Sequence, residues 1–363
     1  MSDAETIKRR PVKRWIVLAL ILAGFYAAFI GPGYLKPIPP VVVLPGESTG
    51  LAIGSFQITN TILATLLADV VLLLLGFGAW RFARSGKLVP EGFYNAFEAI
   101  VEFLWNTVSG SSEIKWAKRI FPLVATIFLL IFVANMVKLV PGFESIGQLH
   151  ESPHGEGYAP VKFFTIGGLE VYGLDGDHPV KLEEHSVAAD EHVSESELEA
   201  EAEHAEEADH HAVCDACEVV PFLRGSATDL NFTLALAIST VVMVQVYGVW
   251  SLGPGYFSKY FPVQSIKVKG PMGAVDLFVG VLEVILEFAK ILSFAFRLFG
   301  NIFAGALLLS IVGSLLPIII PPGLYAFEIF FGVIQAYVFF LLAVVFISGA
   351  LVSHHGDHAE EHH

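Results

Sequence analysis

Residues 281–304 read VLEVILEFAKILSFAFRLFGNIFA. With the 3.6-residue period of a helix, Glu283, Lys290, Arg297, Asn301 and Ala304 fall on one narrow face, and Glu287 and Ser293 lie close beside it. The rest of the stretch is apolar enough for a lipid environment. A charged side chain at mid-membrane costs about 2.5–3.5 kcal/mol even on lenient insertion scales, so this stripe is expected to face protein or water. Glu287 and Lys290 can neutralise each other as a buried ladder. Arg297 has no acidic residue three or four positions away on its own helix, and a guanidinium keeps its proton at any accessible pH. Its partner is therefore expected on another chain.

The surrounding sequence fits this reading. Of the 363 residues 54% are hydrophobic and 16% charged, too apolar for a soluble domain of average composition. Apolar runs long enough to cross a hydrocarbon core, about 20 helical residues, occur near 15–31, 59–80, 119–140 and 229–252. Two longer ones follow near 273–316 and 323–352. The first has no proline before Pro317; as one helix it would be about 60 Å long, so it is either a hairpin of two spans or a strongly inclined helix. The last stretch carries Glu328 and Gln335, seven residues apart on one face. A lone Glu in a membrane helix marks an ion path more often than a packing accident. The expected fold is an all-α polytopic membrane protein of about six transmembrane helices.

The formal net charge of -15 is concentrated in one interval. Acidic residues crowd from Glu183 to Glu218, with no Lys or Arg between Lys181 and Arg224. Basic residues gather at the N-terminus and in the 81–118 and 253–272 loops, which places these and the C-terminal tail inside and the 141–228 loop outside. The expected organisation is a basic cytoplasmic N-terminus (1–14), an extra helix (15–31), a first set of spans (32–140), the outer acidic, His-rich loop (141–228), ion-translocating helices (229–352) and a His-rich cytoplasmic tail (353–363). Residues 15–31 suit either a retained anchor or a signal segment; with no small-x-small cleavage site, the anchor is favoured. Residues 91–106 set Glu91, Asn95, Glu98 and Glu102 against Phe93, Phe97, Ile100, Val101 and Leu104, as expected of a helix lying on the inner membrane surface.

At SFAFRLFGNIFAG (293–305) the chain resembles subunit a of F-type ATP synthases, whose signature is an S-L-x-L-R-L-F-G/A-N core. Other elements agree in order: ITNTIL (58–63), GKLVPEGFYNAFEAIVEF (86–103), ANMVKLVPG (134–142), TDLNFTLALA (228–237), LEVILEFAKILS (282–293) and IQAYVFFLL (334–342). The resemblance covers nearly all of 58–352. It implies a steeply inclined final hairpin of two long helices, and a proton-translocating stator role in a bacterial plasma or inner membrane. The implied partners are the c-ring subunits, the subunit b peripheral stalk, the rest of the synthase and membrane lipid. By resemblance, Arg297 faces the c-ring carboxylates between two half-channels, and Asn301 and Gln335 lie near it. Glu283 belongs to the cytoplasmic path and Glu328 to the outer one. Asn135, Asp229 and Asn231 fall in motifs toward the outer side.

Nine residues after Arg297, where relatives often place a His or Glu, stands Ala306. Glu328 is thus expected to act with water or with a group from elsewhere. Asp69 is a further channel candidate, either in the outer path or in a buried ion pair with Lys138. In the acidic loop His204, His210, His211, Cys214 and Cys217 are weak candidates for a metal site; the two cysteines suit a local disulfide equally, and a solvated loop without a ligand is the leading expectation. No cofactor is expected, and no nucleic-acid partner. Without a G-x-x-x-x-G-K-[ST] motif, nucleotide chemistry must occur on a partner. A secondary transporter would also hold intramembrane charges, but no repeat relates the two halves. A membrane scaffold would have no reason to bear the cost of Arg297.

Overall fold

The computed structural model describes residues 12–33, 46–84, 92–140, 142–152, 156–166, 169–181, 214, 216–260, 273–315 and 320–352. Seven α-helices run through these residues: α1 (Val12–Phe29), α2 (Asn60–Ala83), α3 (Phe93–Ser111), α4 (Ile114–Val137), α5 (Leu230–Leu252), α6 (Gly273–Leu315) and α7 (Ile320–Leu351). Helices α2, α4, α5 and α7 are long and apolar enough to span a membrane. Helix α6 is continuous over 43 residues, so the long apolar stretch is one helix and not a hairpin of two.

Local chemistry sets the other boundaries. Thr59 caps α2 by accepting from the Ile62 amide at 3.4 Å, and Asp229 caps α5 by accepting from the Asn231 amide at 2.8 Å. Gly253 closes α5 with φ 64°, in the left-handed region where a Cβ is penalised. Helix α7 has Pro321 and Pro322 in its first turn, where a missing amide proton costs no helical hydrogen bond.

The chain divides into two compact units. In the larger (Val43–Glu144, Phe222–Leu307 and Tyr325–His363), the core is built by α3 to α7 around fully buried Phe294, Phe339, Phe340, Leu104, Ile120, Ile131 and Leu298. Phe294 of α6 meets Phe339 of α7 with ring centroids 4.6 Å apart, and Phe128 of α4 meets Phe340 edge to face at 6.0 Å. Small residues let the backbones approach: Ala336 and Ala343 are fully buried. A Cβ on Gly332 would lie 3.2 Å from both Asn135 Cβ and Met136 Cε. Tyr247 of α5 donates to the Arg119 carbonyl of α4 at 2.9 Å, and the Arg119 guanidinium lies 4.5 Å from the Trp250 ring centroid, a cation–π contact. Helix α3 turns Leu104 and Val108 inward and leaves Asn95, Glu98 and Glu102 exposed, in the expected amphipathic pattern; Phe93, assigned to the apolar face, is exposed.

The smaller unit (Met1–Val42, Ser145–Pro221 and Leu308–Leu324) contains a feature that was not expected of the outer loop. Strands β3 (Gly147–Glu151), β4 (Glu156–Ile166), β5 (Leu169–Lys181) and β6 (Cys217–Pro221) form an antiparallel sheet in the order β3-β6-β4-β5, separate from the short hairpin of β1 (Ser48–Ile53) and β2 (Phe56–Thr59). Lys162 of β4 pairs across the ladder with Glu170 of β5, whose carboxylate also accepts from Tyr172. The hydrogen bond to Glu170 raises the Lys162 pKa. Cys214 and Cys217 are joined in a disulfide beside Leu174.

Gly332→Val is expected to separate α4 from α7 and to destabilise the purified protein by about 1–3 kcal/mol, read as a lower thermal unfolding midpoint. An unchanged midpoint would show that the close α4–α7 approach is not required.

Candidate functional site

The polar residues of α6 separate into three groups with different surroundings. Toward its N-terminal end, Glu283, Glu287 and Lys290 are half-buried and tied into a network. Lys259, from the turn after α5, lies 2.6 Å from Glu283 and 3.5 Å from Glu287, and Lys290 lies 2.8 Å from Glu287. Tyr256 donates to Gln245 Oε1 at 2.8 Å, and the single hydroxyl proton of Tyr260 is shared between Gln245 Oε1 at 2.8 Å and Glu287 Oε1 at 3.2 Å. Burial first, then the Tyr256 hydrogen bond and the charge on Glu287, push the Tyr260 phenol far above its ordinary range, so it serves as a donor at any working pH. The Glu287–Lys290 ladder legible in the sequence is present, and Lys259 completes it.

Two turns beyond Lys290, the surroundings change. Arg297 is exposed on the surface of the isolated chain, with Ser293, Phe296 and Ala304 exposed on the same side. Among the described residues it forms no ion pair. Phe294, Ala295 and Leu298 turn the opposite way, into the core. Asn301, one turn on, is half-buried and reaches Gln335 of α7, with Nδ2 3.5 Å from Oε1. Gln335 is buried, and its Nε2 has no hydrogen-bond partner among the described residues. The single narrow stripe expected from helical spacing is thus divided. Its members share a helix face but meet different neighbours along a 43-residue length.

A third cluster lies two turns of α7 from Gln335. Glu328 is buried, and its Oε2 pairs with Lys138 Nζ at 3.4 Å; both side chains are less than a tenth exposed. Lys138 caps the C-terminal end of α4, where a cation also opposes the helix dipole. Asn135, one turn earlier and buried, donates to the Gly332 carbonyl at 3.3 Å. The other carboxylate oxygen, Glu328 Oε1, has no hydrogen-bond partner among the described residues and points at α6, 3.0 Å from where a Cβ on Gly305 would sit.

This arrangement corrects one expectation. Lys138 does not pair with Asp69; it pairs with Glu328, because α4 packs against α7 at that level. Asp69 is half-buried on α2 and forms no ion pair among the described residues. Asp229 serves as the cap of α5 and accepts from Thr61 Oγ1 at 2.9 Å. Asn231 is exposed and contributes its backbone amide to that cap. Ala306 is half-buried on α6 beside Gly305. Among the weak metal candidates, His204, His210 and His211 lie outside the described residues, and Cys214 and Cys217 are joined to each other. Lys259, Tyr256, Tyr260 and Gln245 were not singled out from sequence, since no periodicity links a loop lysine to a glutamate on a later helix.

The profile of the ATP synthase A chain family matches residues 62–348, most of the chain. The chain belongs to this family. The match takes in every side chain of the three groups above. The ATP synthase subunits a of Mycobacterium bovis and Mycobacterium tuberculosis are each 26% identical to it over 319 residues, covering 87% of this chain and 94% of theirs. The subunit a of Mycobacterium ulcerans is 26% identical over 309 residues, covering 84% and 90%. As an ATP synthase A chain, the protein is a polytopic helical subunit of the membrane-embedded stator of that complex.

Lys259→Met is expected to leave Glu283 without its nearest cation and to destabilise the complex by about 1 kcal/mol, because both partners remain partly in water. Lys259→Arg should be close to neutral. Thermal unfolding of the detergent-purified complex measures both; equal midpoints for Lys259→Met and the unmodified protein would remove this network as a structural tie.

Proposed function

We propose that this subunit translocates protons, with Arg297 as the fixed cation that meets a carboxylate carried past it by the c-ring subunits. The observation that carries the reading is the position of Arg297, an always-charged group on an exposed, largely apolar helix surface without an acidic partner among the described residues. Such a charge is stable in a membrane only when another surface supplies water or a counter-charge. The stripe of exposed Ser293, Phe296, Arg297 and Ala304 suits a close-packed neighbouring helix.

The mechanism follows from electrostatics. A carboxylate on a moving helix passes the lipid-facing arc as the neutral acid, since the ionised form is penalised there. Beside Arg297 the ionised form is favoured, so the proton leaves. The acids and amides on either side of Arg297 supply the two access paths: Glu283 with Glu287 and Lys290 toward the cytoplasm, Glu328 with Asn135 and Gln335 toward the outside. Asn301 orients the Gln335 amide next to the cation. Because the two paths meet on opposite sides of Arg297, a proton travels between them only on the moving carboxylate. The membrane potential contributes about 2.3 kcal/mol per elementary charge per 100 mV, which biases the exchange in one direction and drives rotation. ATP chemistry takes place elsewhere in the complex.

The same reading makes the 43-residue α6 a strongly inclined helix, since at about 1.5 Å per residue it is about twice as long as a hydrocarbon core is thick. It places the basic loops on the cytoplasmic side of a bacterial plasma or inner membrane, and the peripheral stalk subunit b among the contacts of the stator.

Arg297→Ala is expected to leave assembly intact and to abolish proton-driven ATP synthesis by the reconstituted complex, because among the described residues no other cation is exposed on that surface. Normal synthesis in that variant would remove the central claim.

A further inference from the structure

Glu328 divides its two oxygens between two environments. Oε2 faces Lys138 at 3.4 Å and Oε1 is buried without a hydrogen-bond partner, directed at the backbone of Gly305. A buried acceptor left open is costly; Glu287 also leaves Oε2 open, and what sets Glu328 apart is that its open oxygen is directed at the backbone of a neighbouring helix, at Gly305. Other contacts already join α4 to α7: the Asn135 hydrogen bond to the Gly332 carbonyl and the Phe128–Phe340 ring contact. Replacing a buried ion pair with apolar side chains is often neutral or stabilising, so stability alone does not explain why this one is kept.

We propose that Lys138 is a positioning residue for proton transfer at Glu328: it holds Oε2 and leaves Oε1 as the oxygen that takes up and releases the proton. This rests on the reading of Glu328 as part of the outer path. The titratable groups around the carboxylate are Lys138 from the end of α4, Glu144 from the following turn and Tyr325 on α7. Glu144 accepts the Gly225 amide at 3.0 Å, close to the Lys138 side chain, and Tyr325 lies within electrostatic reach of both Glu328 and Glu144. Helix α6 presents Gly305 to Oε1, and a Cβ there would lie only 3.0 Å from this oxygen. In one cycle a proton from outer water binds Oε1, the neutral carboxyl loosens its hold on the ammonium, and the proton passes inward toward the carboxylate facing Arg297. The pair then re-forms. Lys138 re-engages Oε2 in each cycle, and Ala306 offers no second titrating group on α6.

The test uses the whole ATP synthase reconstituted in liposomes, with proton-driven ATP synthesis as the readout and subunit content as the assembly control. Lys138→Gln is expected to lower the rate by about a hundredfold, the contribution of a positioned proton-transfer group, and Lys138→Arg to restore most of it. In the background of Glu328→Gln, adding Lys138→Gln should cause no further loss, because the two act as one unit. A full rate in Lys138→Gln, no recovery in Lys138→Arg, or an additional loss in the double variant would each overturn the proposal. If Lys138→Gln does not assemble, the arginine variant and the comparison of the double variant with Glu328→Gln decide by the same criteria. A full rate in Glu328→Gln itself would instead remove the reading of Glu328 on which the proposal rests.

Discussion

A guanidinium that cannot lose its proton, set on an apolar helix, is the constraint to which the rest of the structure answers. Lysine in the same place could neutralise itself when desolvated; arginine cannot. Arg297 therefore requires either water or an opposite charge at its own level of the membrane, and its own helix offers no acid within reach. Phe294, Ala295 and Leu298 anchor the other side of α6 in the core, so the guanidinium cannot turn inward without unpacking the bundle. Among the described residues no acid meets it, and on the proposed reading its counter-charge comes from another chain.

The fold serves this constraint by rigidity. Ring contacts between Phe294 and Phe339 and between Phe128 and Phe340 fix α6 and α4 against α7. Three polar groups of α6 and α7 are held by a neighbour: Glu283 by Lys259, Asn301 by Gln335, Glu328 by Lys138. Buried atoms without a hydrogen-bond partner among the described residues remain beside these ties: Glu287 Oε2 on α6, and Glu328 Oε1, Gln335 Nε2 and Ser348 Oγ on α7. Glu328 and Gln335 are seven residues apart and therefore on one face.

Much of this was legible in the sequence, for identifiable reasons. Apolar runs gave the helices to within a few residues, because span length is fixed by bilayer thickness and the ends carry ordinary caps such as Thr59 and Asp229. The isolation of Arg297 could be read from the absence of acids at neighbouring helical positions. The pairing of Lys138 could not. Asp69 and Glu328 are both single acids in apolar helices, and which one meets Lys138 depends on how α4 packs against α2 and α7, information that no local pattern contains. The Lys259–Glu283 tie was hidden for the same reason. The four-stranded sheet escaped notice because its strands flank a long acidic, low-complexity stretch whose composition dominated the reading of the whole loop.

The most direct test of the account is to find what covers the Arg297 surface in the assembled enzyme. A photoreactive amino acid at Phe296, exposed beside Arg297, would be activated in the intact complex in its native membrane, with the same probe at Val242 on α5 as a reference for another exposed position. The account predicts that position 296 captures a small helical subunit through the region around a membrane-embedded carboxylate, and that position 242 does not. Capture of lipid alone at position 296, or the same product from both positions, would contradict it.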